Sequence, residues 1–254
     1  MLSLSDIATR NRFELEEICR SRAQPVYLGD HTALCRVLGR YKLYLSTLDH
    51  GFGSHVLLDG FWEMWLTIFI ARIVKPGMVA ADIGANFGYY TLLLADLVGE
   101  RGHVHAIEPN PEIASLLRRT VALNGFAPWT TIAEAAAGVS DGSELTLFVP
   151  HGEPKNATVV AASTDMTDAG SLHRVKCRSM DALLADCDRV DFLKIDAEGA
   201  EQDVIAGMQR VLERFRPAVV LEFNACRYAD PAGFLARSPP STEPCAISTT
   251  RAIR

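Results

Sequence analysis

The six cysteines (Cys19, Cys35, Cys177, Cys187, Cys226 and Cys245) include no CxxC pair and no histidine at metal-site spacing. That excludes zinc and thioredoxin-like chemistry and leaves reduced, mostly buried thiols as the expectation. Clusters of lysine or arginine are also missing. With 25 Lys and Arg against 31 Asp and Glu, the net charge of -6 argues against phosphate-backbone binding as the main activity, and no nucleic-acid partner is expected. The N-terminal stretch MLSLSDIATRNRFELEEICR carries acids and lacks a continuous apolar run, so neither a signal peptide nor a membrane span is expected, and a cytoplasmic protein is. The sequon Asn156-Ala157-Thr158 has no consequence without secretion. No repeat of fixed period is found.

What is present is apolar: 48% of the 254 residues, enough for a sizeable core. From about residue 76 short β-type runs alternate with amphipathic helical runs, which predicts an α/β fold with a doubly wound, mostly parallel Rossmann-like sheet. MVAADIGAN is its first strand. Tyr90, Leu93, Leu94 and Leu97 then keep helical spacing up to Gly99. HVHAIEPNP is the second strand, and Asn110, Pro111 and the Asn124-Gly125 stop bracket the next helix. TTIAEAAAG is a third strand and ELTLFVP an added one, followed by a mobile loop over residues 151–170. RVDFLKID is the buried fourth parallel strand. One helix through Val204, Ile205, Met208, Val211, Leu212 and Phe215 runs to Pro217, and AVVLEFN is the fifth strand. Three regions follow: an N-terminal cap at 1–75 with a helix, a strand pair and the apolar helix FWEMWLTIFIARIV; a core at 76–225; and an atypical tail at 226–254.

The most informative stretch is DIGANFGYYT, at the joint between the first strand and its helix. A dinucleotide loop uses G-x-G-x-x-G to let amides approach a pyrophosphate, but here Gly84-x-x-x-Gly88 has no third glycine and Asp82 stands two residues before the turn. A carboxylate there repels a diphosphate and suits a ligand cationic at sulfur and at its amino group, so the loop fits S-adenosylmethionine. Glu108, at the end of the second strand, can accept hydrogen bonds from both ribose hydroxyls. A nicotinamide-dependent oxidoreductase of the same architecture is the rival that Asp82 and the missing glycine disfavour. A non-catalytic adenosylmethionine-binding protein is the rival from another class.

These residues, together with DGFWEMWLTIFIARIVKPGMV, AAAGVSDGSELTLF and above all DFLKIDAEGAEQDVIAGM, resemble the FkbM-type methyltransferases over roughly residues 45–225. The resemblance implies a class I adenosylmethionine-dependent O-methyltransferase acting on a hydroxyl of a sugar, a glycolipid or a polyketide-type small molecule. It implies that Asp82, Gly84, Asn86 and Gly88 form the cofactor loop, that Glu108 holds the ribose and that Asp141 lies near the adenine.

Methyl transfer requires an aligned nucleophile and a group to take its proton. Lys194, Asp196 and Glu198 alternate at the carboxyl end of the fourth strand, where open α/β sheets bind ligands, and Gly199 allows close approach. Asp196 is the expected catalytic group, with Glu198 and Lys194 orienting the acceptor. The bland alternative is an ion network that only satisfies buried charge. Glu222 and Asn224 end the fifth strand on the same edge. With Asp196 they resemble the ligand set of magnesium-dependent O-methyltransferases, so magnesium is a second reading behind a metal-free base. His50, His55 and His173 are alternative bases, and Trp62 and Trp65 are expected to pack the cap.

After the core the chain turns to RSPPSTEPCAISTTRAIR, rich in Ser, Thr and Pro and without apolar periodicity. Residues 237–254 are therefore expected to be disordered or loosely attached, with the natural end replaced by frameshift or truncation. Strand five is then an exposed edge available for dimer pairing.

Overall fold

In a computed structural model the chain is described at residues 1–154, 157–160, 169–225, 230, 233 and 246–248. It opens with two capped helices. Ser3 and Asp6 form a reciprocal capping box at α1 (Leu4–Thr9), and the Asn11 side chain caps α2 (Arg12–Arg22). β1 (Val26–Gly29), β2 (Thr32–Val37) and β3 (Tyr41–Ser46) follow as an antiparallel sheet. The expected strand pair is β2 and β3; β1 is an addition that its largely exposed residues did not announce. Two helices, α3 (Phe52–Asp59) and α4 (Met64–Ile73), complete the cap. The apolar helix begins at Met64 and not at Phe61, because Glu63 just before it is left-handed.

The core begins with β4 (Val79–Ile83), α5 (Tyr89–Val98), β5 (His103–Ile107), α6 (Pro111–Leu123) and β6 (Thr130–Ala133). A separate sheet then forms from β7 (Ala136–Ala137), β8 (Glu144–Pro150), β9 (Thr158–Val160) and β10 (Gly170–Arg178), in the order β7-β10-β8-β9. ELTLFVP is thus a strand as expected, but its main partner is the nine-residue β10, which pairs with it antiparallel along its length. β9 corrects part of the loop expected over 151–170; residues 155–156 and 161–168 of that stretch lie outside the described residues. After a short α7 (Met180–Leu183), the chain returns as β11 (Phe192–Ile195), α8 (Glu201–Ala206), α9 (Gln209–Phe215), β12 (Ala218–Glu222) and β13 (Ala246–Ser248). The single helix expected over 204–215 is broken at Gly207. A Cβ there would lie 1.9 Å from the Gly138 carbonyl oxygen, so this point must stay open for the loop after β7.

The main sheet has the order β13-β12-β11-β4-β5-β6, and every pairing in it is parallel. This is the doubly wound α/β sheet that the alternating pattern predicts. β4 and β11 are almost wholly buried, which is why their sequences read as unbroken apolar runs interrupted only at Asp82 and Lys194. β13 corrects the tail: the sheet does not stop at the fifth parallel strand, since Ala246–Ser248 pairs beside Val220–Glu222. Residues 237–245 and 249–254, with Cys226 and Cys245, lie outside the described residues.

The cap shares the core of the sheet. Ile7, Leu15, Val37, Leu43 and Ile70 belong to one apolar cluster with Phe87, Leu92, Val104 and Phe192. The free edge of β3 is satisfied by α6: Lys42 N–H donates to Asn124 Oδ1 (3.0 Å) and Tyr44 N–H to Thr120 Oγ1 (3.0 Å). Residues 52–66 are thereby fixed over the carboxyl edge of the main sheet.

Candidate functional site

The loop between β4 and α5 is shaped by contacts that allow little else. Gly84 has φ 75°, and a Cβ on it would fall 1.8 Å from the Asp196 carbonyl oxygen. Glycine is required there both by conformation and by space. The Gly84 and Ala85 amides both donate to the Ile107 carbonyl at 3.0 Å. Asn86 is also left-handed (φ 51°), which aims its amide at Glu108 Oε2, 2.8 Å away. Glu108 Oε1 accepts the Asn110 amide at 2.9 Å. Gly88 begins α5, and its missing Cβ makes room for Leu117 of α6.

Glu108 is thus a buried carboxylate held by two backbone amides. Burial pushes its pKa up to about 7 despite those two bonds and the nearby Lys194. It faces a cleft of about 690 Å³, partly open to solvent, whose walls include Ile83, Gly84, Asn86, Ala137, Asp196 and Glu198.

Asp82 is not in that cleft. It is completely buried: Oδ2 accepts from the Thr91 hydroxyl at 2.7 Å, and Oδ1 stands 3.4 Å from Lys194 Nζ. The expectation that it faces a cationic ligand is corrected, because its charge is answered by a lysine from the neighbouring strand, with which it is in register. Burial raises the Asp82 pKa, opposed by Lys194. For Lys194 burial works to lower the pKa, but Asp196, Asp82 and Glu63 together hold it above the ordinary lysine value. The ammonium also lies 3.4 Å from Asp196 Oδ2, 3.5 Å from the Gly84 carbonyl and 5.1 Å from the Tyr90 ring centre. The ion network weighed as the bland alternative therefore exists, and Asp196 is part of it.

A second cavity, open in part to solvent and with about 870 Å³ of empty space within its mouth and walls, lies on the other side of this network, between the cap and the sheet edge. Phe52, Trp62, Glu63 and Leu66 line it from the cap; Lys194, Asp196, Glu198 and Glu222 line it from the sheet. Asp196, Glu198 and Glu222 each bring a carboxylate oxygen within 4.8 Å of the others. Unit charges at that separation repel by on the order of 3 kcal/mol at an effective dielectric near 20, so the cluster invites a cation, a shared proton or hydrogen-bond donors. Magnesium fits this donor set, with Glu198 in the place expected for Asn224, which does not line the cavity. Glu201, not singled out from the sequence, shapes this edge by accepting the Ala197 and Gly199 amides at 3.1 and 3.0 Å.

The remaining expected residues lie elsewhere. Asp141 lines neither cavity: it accepts from Arg178 Nε (2.9 Å) and from the Ser179 amide and hydroxyl (3.1 and 2.9 Å), joining the loop before β8 to the end of β10. The Ser179 hydroxyl, helped by Arg178, lowers its pKa. His50 donates its amide to the Gly152 carbonyl, His55 pairs with Asp59 across α3, and His173 meets Ser171 on β10; none lines a cavity with Asp196. Trp65 is 38% exposed, whereas Trp62 lines the second cavity, edge-on to Phe52. Glu63 was missed, and its only signal was an acid placed between two tryptophans in an apolar run.

A parallel sheet in this order, with a glycine loop after its first core strand and acids at its carboxyl edge, defines a class I methyltransferase-type fold. The chain belongs to the FkbM methyltransferase family, whose domain model matches residues 82–236. A protein-L-isoaspartate O-methyltransferase of Hyperthermus butylicus is 32% identical over 97 residues, covering 35% of this chain and 37% of that protein. The AMB antimetabolite synthetase AmbE of Pseudomonas aeruginosa is 24% identical over 192 residues, covering 63% of this chain and 9% of its own. A crystal structure of methyltransferase FkbM from Methylobacillus flagellatus aligns with 18% identity and a TM-score of 0.39, over 61% of this chain and 42% of that one. The chain thus spans well under half the length of these relatives. No helix among the described residues is long and apolar enough to cross a membrane.

Proposed function

We propose that the protein is an S-adenosylmethionine-dependent O-methyltransferase acting, in the cytoplasm, on a hydroxyl of a sugar, a glycolipid or a polyketide-type small molecule. The observation that carries this reading is that the two cavities share Gly84, Asn86, Asp196 and Glu198, so a cofactor cleft and an acceptor cavity meet at one wall. The cleft beside Gly84 and Asn86 and the braced carboxylate of Glu108 suit an adenosine with its two ribose hydroxyls. Gly84, Asn86 and Glu108 would hold the cofactor, while Gly88 and Asp82 shape the loop from behind. When bound, the cofactor supplies an electrophilic methyl group on a leaving sulfur.

The chain's own residues do the rest. Asp196 accepts the hydroxyl proton of the acceptor and keeps its oxygen aimed at the shared wall. Lys194 holds Asp196 in place, and Asp82 holds Lys194. Glu198, left-handed at φ 51° beside Gly199, orients the acceptor. The negative net charge favours a small molecule over a nucleic acid as acceptor.

The test is methyl transfer from labelled S-adenosylmethionine to a panel of hydroxylated acceptors, beside thermal-shift titrations with S-adenosylhomocysteine and NAD. Stabilisation by the first ligand alone, with label in a hydroxyl ether, is expected. Stabilisation by NAD alone points to an oxidoreductase, and binding with no transfer to any acceptor points to a non-catalytic binding protein.

A further inference from the structure

Spacing along the chain speaks against a zinc site, but the fold brings together donors that the sequence keeps apart. His103 and His105 stand two residues apart on β5, so both project from the same face of the main sheet. Their ring centres are 4.7 Å apart. Cys187, from the segment after α7, reaches this face with its Sγ 3.4 Å from His105 Nε2, across 82 residues of chain. All three residues are half-buried, which leaves them within reach of a small ion, and they line neither of the two cavities described above.

The segment that carries Cys187 is fixed to the sheet. The Cys187 amide donates to the Leu184 carbonyl at 3.1 Å, the Asp191 amide donates to the Val79 carbonyl at 2.8 Å, and Asp191 Oδ2 accepts the Val79 amide at 2.8 Å. Arg189 pairs with the same carboxylate. On the strand side, His103 Nε2 lies 2.8 Å from Thr131 Oγ1. When that nitrogen donates its proton to the hydroxyl, Nδ1 is left with a free electron pair, the arrangement in which a neighbouring acceptor orients a metal-binding imidazole from behind. Zinc held tetrahedrally at about 2.0 Å from a nitrogen and about 2.3 Å from a sulfur keeps those two atoms about 3.5 Å apart. The separation of His105 and Cys187 matches this value. A thiol–imidazole hydrogen bond fits the same distance, but it makes no use of a second imidazole on the same face, and zinc does.

We propose that His103, His105 and Cys187 form a zinc site, with two imidazoles and one thiolate as protein ligands and water in the fourth position. His103 completes the set by turning its ring toward His105. On binding, the Cys187 thiol proton passes to solvent and a zinc–sulfur bond takes its place. The ion clips the segment after α7 to β5, at a distance from the methyltransferase chemistry and without depending on that reading.

The experiment titrates the metal-free full chain with cobalt(II) and then displaces it with zinc. A thiolate-to-cobalt charge-transfer band, visible bands of tetrahedral cobalt, and loss of both on adding zinc are expected. Cys187→Ser is expected to abolish the charge-transfer band, and His103→Ala and His105→Ala each to weaken cobalt binding at least about tenfold. Carboxylate oxygens, including those of Asp196, Glu198 and Glu222, give no such band, so metal bound there is told apart. In the parent itself, zinc is expected to slow alkylation of Cys187 by iodoacetamide about tenfold, read by peptide mass spectrometry, while magnesium leaves the rate unchanged. This measurement needs no variant. Absence of the band in the folded parent, a band that survives Cys187→Ser, cobalt affinity unchanged in either histidine variant, or alkylation that zinc does not slow would overturn the proposal.

Discussion

The two cavities that meet at Asp196 are built in opposite ways. The distinctive features of the proposed cofactor side lie in one stretch, residues 84–108, and they are backbone features: Gly84 pressed on a carbonyl, Asn86 turned left-handed, Glu108 pinned by two amides. The proposed acceptor side joins residues near 90, 196 and 222 of the core to residues near 52 and 63 of the cap. A site made of local backbone geometry admits few residue types and leaves a readable motif. A site made of distant side chains leaves none.

The sharpest way to break the wall between them is to remove its buried cation. Lys194→Met leaves Asp82 charged and fully buried, and is expected to cost about 3–5 kcal/mol of stability in denaturant unfolding. The double variant Asp82→Asn with Lys194→Met should recover part of that loss. If the single variant is as stable as the parent, the ion pair is not what holds the two cavities together.

A comparable effect follows from Glu108. Its pKa of about 7 in the folded chain exceeds the ordinary carboxyl value of 4.5, so the folded state binds this proton more tightly than the unfolded chain does. The contribution is therefore fully present below about pH 4.5 and is lost as pH rises through 7, about 3 kcal/mol in all. Unfolding measured from pH 5 to 8 should show this decline in the parent and a flatter profile in Glu108→Gln.

The acceptor side is sharpened by Asp196→Asn, which should lower turnover about a hundredfold while changing S-adenosylhomocysteine affinity less than about threefold. Activity that survives EDTA assigns Asp196 the role of base. Activity lost in EDTA and restored by magnesium assigns the Asp196, Glu198 and Glu222 oxygens to a metal ion.

The smallest effect belongs to Asp141. Asp141→Ala removes bonds to Arg178 and Ser179 at an exposed corner, and is expected to leave the unfolding midpoint nearly unchanged and cofactor affinity unchanged. A clear loss of affinity would restore the adenine contact that the family resemblance implies.

The same contrast explains what could be read beforehand. The main sheet, α5 and α6 were legible because apolar runs, the Asn110 cap with Pro111 and the glycine stops are local signals. That Gly84, Glu108 and Asp196 line one cleft at the carboxyl edge was legible for the same reason. Asp82 was found but misread, since nothing in its own strand shows that Lys194 lies in register with it. The break at Gly207 depends on Gly138, some seventy residues earlier, and β10 is a half-exposed strand whose partner is fixed only by the sheet. Glu63 needed the cap to be folded before its position meant anything. β13 is three residues within a polar segment, whose pairing with β12 no periodicity announced.

The account stands most directly on the cofactor cleft, and calorimetric titration of S-adenosylhomocysteine into the parent protein and Glu108→Ala tests it in one measurement. Binding by the parent, weakened at least about tenfold in the variant through loss of the ribose hydrogen bonds, is the expected result. Equal affinity in both, or no binding by a folded parent, would contradict it.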